Sequence, residues 1–494
     1  MPRPFRPRPA TRRMLRWTIG LAGCAASLFV ARSTAGDTAV VGGCALVLLV
    51  CAPTAARLLR DPLDPPGIYA LLSGVCYGLM SLSWIGDVPP IPAPGVGPDE
   101  VSDALVLVAC GLAAFGVAAR LVAGPSRPRP PLTGGESARI PLLLLVGLFA
   151  VGATGMAAGL LVGAVGFSGD AGAGAGVLAY GQAFQQLSLL GALAAGALAL
   201  WVFRRDDRRM LWLLAGLVAG QVLLGFVSGY KQQALLPVLL VGVAYVACRG
   251  RVPWKAVAIS ATVGVLVLLP ATLVYRSILS TGDGVDRSYI RTPSGLVTET
   301  ANYLNIRFRL VDSVAVIQSH TPAVYPYANG RRYTLLPALI AVPRAAWADK
   351  PILNDGLEFS LSYWQVPPRI KTATPLTQPG DLYRNFAWPG VLAGMAIWGL
   401  MIGALTRLNA ARRSPRLELV CLVALVQVVP FIDADLPQLL AGASRTLAVA
   451  ALVAWLALPG PAGPPGFARL RRLAAALVQG VRARTGPAGR AATG

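Results

Sequence analysis

Long apolar runs, each closed by a short polar connector, recur from one end of the chain to the other. Twelve of them fall at roughly 17–33, 38–56, 67–86, 103–123, 140–166, 178–203, 210–228, 232–248, 256–275, 387–407, 417–433 and 444–459. Each is near the ~20 residues a helix needs to cross a ~30 Å hydrocarbon core. One interval breaks the rhythm. Residues 276–386 form a polar stretch between the ninth and tenth runs, far longer than a connector. The pattern predicts an all-α polytopic membrane protein of about 12 transmembrane helices with one large loop between spans 9 and 10. A basic arm, expected to be disordered, occupies 1–16, helices 1–9 occupy 17–275, helices 10–12 occupy 387–459, and a basic tail runs over 460–494.

Composition strengthens the membrane assignment. The 494 residues are 55% hydrophobic and 13% charged, against roughly 25% charged in soluble domains. The net charge of +22 raises nucleic acid as a partner. The bases sit instead in short clusters between apolar runs, where membrane topology places them, so the expected partner is the lipid bilayer and not nucleic acid. The seven cysteines all lie in or beside apolar runs, there is no CxxC pair, and His320 is the only histidine. Neither a zinc site nor a disulfide framework is supported. The first run follows Arg12, Arg13 and Arg16 as in a signal peptide, but a second run follows closely and no A-x-A site stands out, so it reads as a retained helix.

Short-loop charge gives the orientation. Arg57 and Arg60, then Arg127, Arg129 and Arg139, then Arg204, Arg205, Arg208 and Arg209 occupy alternate connectors. Arg249, Arg251 and Lys255, and Arg412, Arg413 and Arg416, continue the series. The intervening segments 34–37, 87–102 and 167–177 hold no Arg or Lys. By the positive-inside rule both termini are cytoplasmic, in a multi-pass protein of the cytoplasmic membrane. Residues 276–386 are then an extracytoplasmic loop, although they carry twelve Arg and Lys residues. Long loops translocate largely regardless of charge; alternatively, these bases bind an anion. Lys231, in Gly229-Tyr230-Lys231, falls on the same side, and so do Lys350 and Lys371 of the four lysines in the chain. A boundary lysine either snorkels or serves a site.

The loop does not read as disordered, because Tyr289, Tyr303, Phe308, Tyr325, Tyr327, Tyr333, Trp347, Phe359, Tyr363, Trp364 and Tyr383 make it rich in aromatics. Apolar residues Leu304, Phe308, Val311 and Ala315 predict a helix over 297–318 that starts at Thr298. On it Arg307 and Arg309 take different faces, and Arg309 lies three residues before Asp312, a spacing for an ion pair. A turn follows over Tyr325–Gly330, then an apolar piece too short to span, Leu335–Val342, which fits an interfacial or re-entrant helix. Arg344 and Lys350 then fall at headgroup level, with Trp347 as interface anchor. The stretch 371–380 has no core-forming pattern and reads as a mobile flap. Asp433 and Asp435 either line a pathway or terminate a helix.

Several of these segments carry a resemblance. Gly229-Tyr230-Lys231, Arg307/Arg309, Gly330…Tyr333, Pro343-Arg344-x-x-Trp347-x-x-Lys350-Pro351 and Tyr383-x-Asn385-Phe386 resemble the Wzy-type O-antigen and exopolysaccharide polymerases, over roughly 225–405. Many members follow the Asn-Phe pair with Gly, whereas this chain has Ala387. The resemblance implies an integral-membrane glycosyltransferase of the glycosyltransferase C-like class. Such an enzyme moves a glycan from one polyprenyl pyrophosphate to the sugar end of another lipid-linked repeat unit, on the outer face, with no cofactor and no metal. Its implied partners are the lipid-linked glycan, a flippase and a chain-length regulator. Lys231, Arg276, Arg307, Arg309, Arg344, Lys350 and Arg384 are then the pyrophosphate-binding candidates, since a departing diphosphate needs fixed positive charge. Tyr333, Trp347, Tyr383 and Asn385 are the substrate-contacting candidates. A general base for the acceptor hydroxyl is sought among Glu299, Asp312 and His320, with Glu358 and Asp381 also weighed. His320 has the suitable intrinsic pKa, though capping a helix end also explains it.

Two other functions share the sequence features. A lipid-linked oligosaccharide flippase or other transporter suits twelve spans, but ionisable groups away from the span ends are few and the halves show no clear repeat. A glycan ligase has the same donor chemistry as a polymerase. A transferase predicts that Lys231, Arg276, Arg307, Arg344 and Arg384 converge at one site.

Overall fold

The structure, a computed structural model, describes residues 35–85, 93–126, 141–162, 175–228, 231–279, 291–342, 346–347, 350–351, 355–367, 373–410 and 414–458. Among these residues every regular element is helical. Among the described residues nine helices are long and apolar enough to cross a membrane: Asp37–Leu59, Pro65–Trp84, Pro98–Ala123, Leu142–Leu161, Gln186–Arg205, Arg208–Val227, Trp254–Tyr275, Gln378–Ala410 and Leu436–Ala457. They match nine of the twelve runs. Of the other three, 17–33 lies outside the described residues. The run at 232–248 forms the helix Lys231–Arg249, whose apolar part, Gln233–Arg249, is shorter. The run at 417–433 forms a helix of only 14 residues, Pro415–Val428. At 1.5 Å per residue it is about 21 Å long, short of the hydrocarbon thickness. Pro430 ends its pattern early.

The chain forms two compact units, one of residues Met1–Pro130, Gly250–Ala410 and Ala424–Arg445, the other of Pro131–Arg249, Ala411–Val423 and Thr446–Gly494. In the second unit, two helices approach closely where a side chain is missing on each. A Cβ on Gly152 would stand 2.8 Å from the Gly191 nitrogen, so only glycine permits this contact. Buried Gln221 donates to the Ser188 carbonyl at 3.1 Å, and Arg204 pairs with Glu418 at 2.7 Å.

The first unit carries the segments of interest. Pro98–Ala123 packs along Gln378–Ala410, with Gly403 against the Ala119 carbonyl and Gly111 against Val391. The span Pro65–Trp84 contains a widened π turn at Gly74–Leu79, a feature that redirects side chains. Its inward face carries Tyr69, Tyr77 and Trp84, all buried. Trp254–Tyr275, in contrast, is only 11% buried within the protein.

The described part of the polar stretch has a hydrophobic core of its own. Val316, Ile317, Phe359, Tyr363 and Leu376 form a core with Ala93, and Tyr325, Trp364 and Tyr383 pack against it. Burying this apolar and aromatic surface is what holds so long a segment in place. Two expectations are corrected here. The helix expected over 297–318 is two helices, Pro293–Phe308 and Val311–His320. Thr292 caps the first by accepting from the Gly295 N–H at 3.1 Å, and Pro293 follows at the first helical position. The break at Arg309 and Leu310 separates an exposed Phe308 from a second helix buried over Val311–Ile317. The apolar spacing therefore joined two faces that the fold keeps apart. The second correction concerns 371–380. Residues 371 and 372 lie outside the described residues, but Thr377 and Gln378 are fully buried. Thr377 N–H donates to Asp433 O at 3.1 Å, and Gln378 Nε2 donates to Phe431 O at 2.9 Å. This end of the stretch is pinned and is not a flap, because each polar group there is satisfied inside the protein.

Candidate functional site

The start of the helix Arg331–Ala341 is fastened to the start of Gln378–Ala410. Asn329 and Gly330 both have positive φ, 50° and 68°, which turns the chain sharply into Arg331. Gly330 is required twice, since a Cβ there would also overlap the Phe386 ring. The Gly330 N–H donates to Asn385 Oδ1 at 3.1 Å, and the Ala328 N–H donates to the Arg384 carbonyl at 3.0 Å. Tyr333 Oη donates to the Asp381 carboxylate, and Asn385 Nδ2 donates to the same carboxylate at 3.0 Å. Tyr333 also packs on Phe386, 5.6 Å between ring centroids. Burial and the adjacent Asp381 raise the Tyr333 hydroxyl above its ordinary pKa, so it stays a donor.

This fastening sets two guanidinium groups side by side. Arg332 Nη2 reaches Glu358 at 2.8 Å and Arg384 Nη2 reaches the other oxygen of the same carboxylate at 3.1 Å. Glu358, on the helix Asp355–Ser362, is about half exposed, at 51%, while Arg384 is 13% exposed. Arg384 also lies over the Tyr363 ring, 5.9 Å from its centroid. Behind the arginines is Asp435, buried, whose carboxylate feels both of them. It accepts from the Gln438 N–H at 2.8 Å and so caps the helix Leu436–Ala457. Burial raises the Asp435 carboxyl above the ordinary range, against the opposing pull of Gln438, Arg332 and Arg384. Arg307 pairs with a different carboxylate, Asp433, at 3.3 Å. Asp433 is itself bonded through its carbonyl to Thr377, just before the helix that carries Arg384.

His320 borders the fork across one ring. It packs edge-on to Tyr363 with centroids 6.1 Å apart and stacks with Tyr325 at 6.5 Å. Its Nδ1 is 3.0 Å from the Val316 carbonyl. Ser319 Oγ also lies 2.9 Å from Nδ1; in the tautomer with Nδ1–H donating to the carbonyl, Nε2 is left as the acceptor.

The remaining expected residues fall elsewhere. Arg309 and Asp312 do pair, Nε to Oδ2 at 2.7 Å, but they are 0% and 2% exposed. Trp84 Nε1 donates to the other Asp312 oxygen at 2.8 Å, and Arg309 Nη1 donates to Asn305 Oδ1 at 2.8 Å. Burial pushes the Asp312 carboxyl up, with Arg309 and Trp84 opposing. Both oxygens of Asp312 are spent on this interior pair. Glu299 is half-buried on Pro293–Phe308. Lys350 Nζ donates to the Val342 carbonyl at 2.6 Å, Trp347 is half-buried, and Tyr383 meets Tyr327 edge-on at 6.2 Å. Lys231 begins a helix of the other unit, and Arg276 lies on Leu269–Leu279. Arg344 is outside the described residues. Arg332 and Asp435 were not expected among the site residues, and Glu358 was weighed only as a general base, whereas here it bridges two arginines. Arg332 differs from Arg331 only by its place in the helical turn, and Asp435 reads in sequence as a helix terminator.

Compared with known proteins, the chain matches no family model, no curated protein and no solved structure.

Proposed function

We propose that the protein is a membrane glycosyltransferase that polymerises polyprenyl-pyrophosphate-linked oligosaccharide repeat units on the outer face of the cytoplasmic membrane. The carrying observation is the paired fork of Arg332 and Arg384, which already holds an oxyanion in the form of Glu358. It is built where Gly330…Tyr333 meets Tyr383-x-Asn385-Phe386, two of the stretches on which the resemblance rests. In this reading the acceptor hydroxyl attacks the anomeric carbon of the donor glycan, and the bond from that carbon to the pyrophosphate oxygen breaks. The hydroxyl proton passes to His320 Nε2. The negative charge that collects on the leaving pyrophosphate is met by Arg332 and Arg384. Such groups act without reorganising, because the backbone ties above hold them before substrate arrives.

Deletion of the gene with glycan profiling tests the reading. Single repeat units retained on lipid are the expected result. Full-length polymer that is no longer transferred to its final acceptor points to a ligase instead. Unchanged surface glycan overturns both. In complementation, His320→Ala is expected to lower polymer formation by roughly 10²–10⁴-fold, the usual worth of a general base.

A further inference from the structure

We propose that Glu358 is the resting occupant of the anion cradle formed by Arg332 and Arg384, and that a diphosphate ligand binds by taking its place. The inference rests on the site assigned above and concerns how that site is kept before ligand arrives. Asp435, which is buried, interacts electrostatically with both Arg332 and Arg384. Their positions are set by the bonds Gly330–Asn385, Ala328–Arg384 and Tyr333–Asp381. The carboxylate in front is the most open of the three groups, with Glu358 51% exposed against 34% for Arg332 and 13% for Arg384. Glu358 spans the two guanidiniums with one oxygen on each, at 2.8 and 3.1 Å. That is the arrangement by which arginine pairs hold a phosphate.

Two features make the exchange easy. Glu358 is half exposed, and exposed ion pairs contribute little to stability. A carboxylate also brings one negative charge and two oxygens, whereas a diphosphate brings more of each to the same donors. The cradle thus avoids leaving two like charges unpaired side by side, yet it yields to a stronger anion. On release, Glu358 loses both partners and turns to solvent.

The experiment titrates the purified full-length protein in lipid nanodiscs with farnesyl diphosphate, using farnesol and inorganic pyrophosphate as companion probes. The wild type is expected to bind farnesyl diphosphate and not farnesol, with inorganic pyrophosphate competing. Glu358→Gln is expected to bind farnesyl diphosphate about tenfold tighter, because the competing charge is gone. Arg332→Ala and Arg384→Ala are each expected to bind about tenfold more weakly. Glu358→Ala repeats the test should the glutamine variant not fold. Equal binding of farnesol, or affinity unchanged or weakened in both Glu358 variants, overturns the proposal. Binding is read without glycan transfer. Exchange at Glu358 together with unchanged glycan on gene deletion would therefore sink the polymerase reading alone, and the opposite pattern would sink this one alone.

Discussion

Arg309 and Arg384 lie in the same unit, and each is bonded to a carboxylate, yet they play different parts. The Arg309–Asp312 pair is sealed, at 0% and 2% exposure, with Trp84 and Asn305 completing its hydrogen bonds. The Arg384–Glu358–Arg332 fork opens to water on its acidic side. In the interior an ion pair is a commitment, because removing either partner strands a charge away from water. At the surface the same chemistry is reversible. Burial, not residue type, therefore separates an ion pair that holds the fold from one that is open to exchange.

The contrast can be broken most severely at Asp312. Asp312→Ala leaves Arg309 buried without its carboxylate and is expected to destabilise the protein by about 3–5 kcal/mol, read as a large fall in thermal midpoint in detergent. A loss near 1 kcal/mol would place that pair with the surface ones. Ala387 comes next. It sits at φ 55° and ψ −154° inside the long helix, a region essentially reserved for glycine. Ala387→Gly is expected to raise stability by about 1 kcal/mol or more by the same thermal measurement, and a loss of stability would show that the kink is not strained.

A smaller effect follows from Asp435. Its folded carboxyl titrates above the unfolded value near 3.9, because it is buried. In the window between the two values the folded state holds more protons, so stability present at low pH is lost as pH rises through the raised pKa. Asp435→Asn keeps the cap and removes the titration. The wild type is expected to lose thermal stability more steeply than this variant as pH rises from about 4. Parallel curves would refute the assignment. The least effect is expected at the open end of the contrast, where Glu358→Ala should cost no more than about 1 kcal/mol. A loss comparable to that of Asp312→Ala would make Glu358 structural.

Much of this was legible from the chain. The spacing of Arg309 and Asp312 gave the pair, and the aromatic content of 276–386 pointed to an ordered segment, as the core around Phe359 and Tyr363 bears out. What was not legible was the depth of the pair. Three residues of helix spacing bring two side chains together whether they face water or protein. Nor could spacing reveal that helix 293–320 breaks at Arg309, since the apolar pattern continues across the break. Arg332 and Glu358 are 26 residues apart, as are Glu358 and Arg384, and no local rule links such positions.

The sequence alone determined that this is a helical, multi-pass membrane chain, because the bilayer imposes length and hydrophobicity on each span one segment at a time. It also determined where the polar stretch lies and which of its residues carry charge. Only the tertiary structure decided which charges face each other and how deeply. Those are properties of packing between distant segments, and solvent exposure, which sets the strength and exchangeability of an ion pair, exists only once that packing is in place.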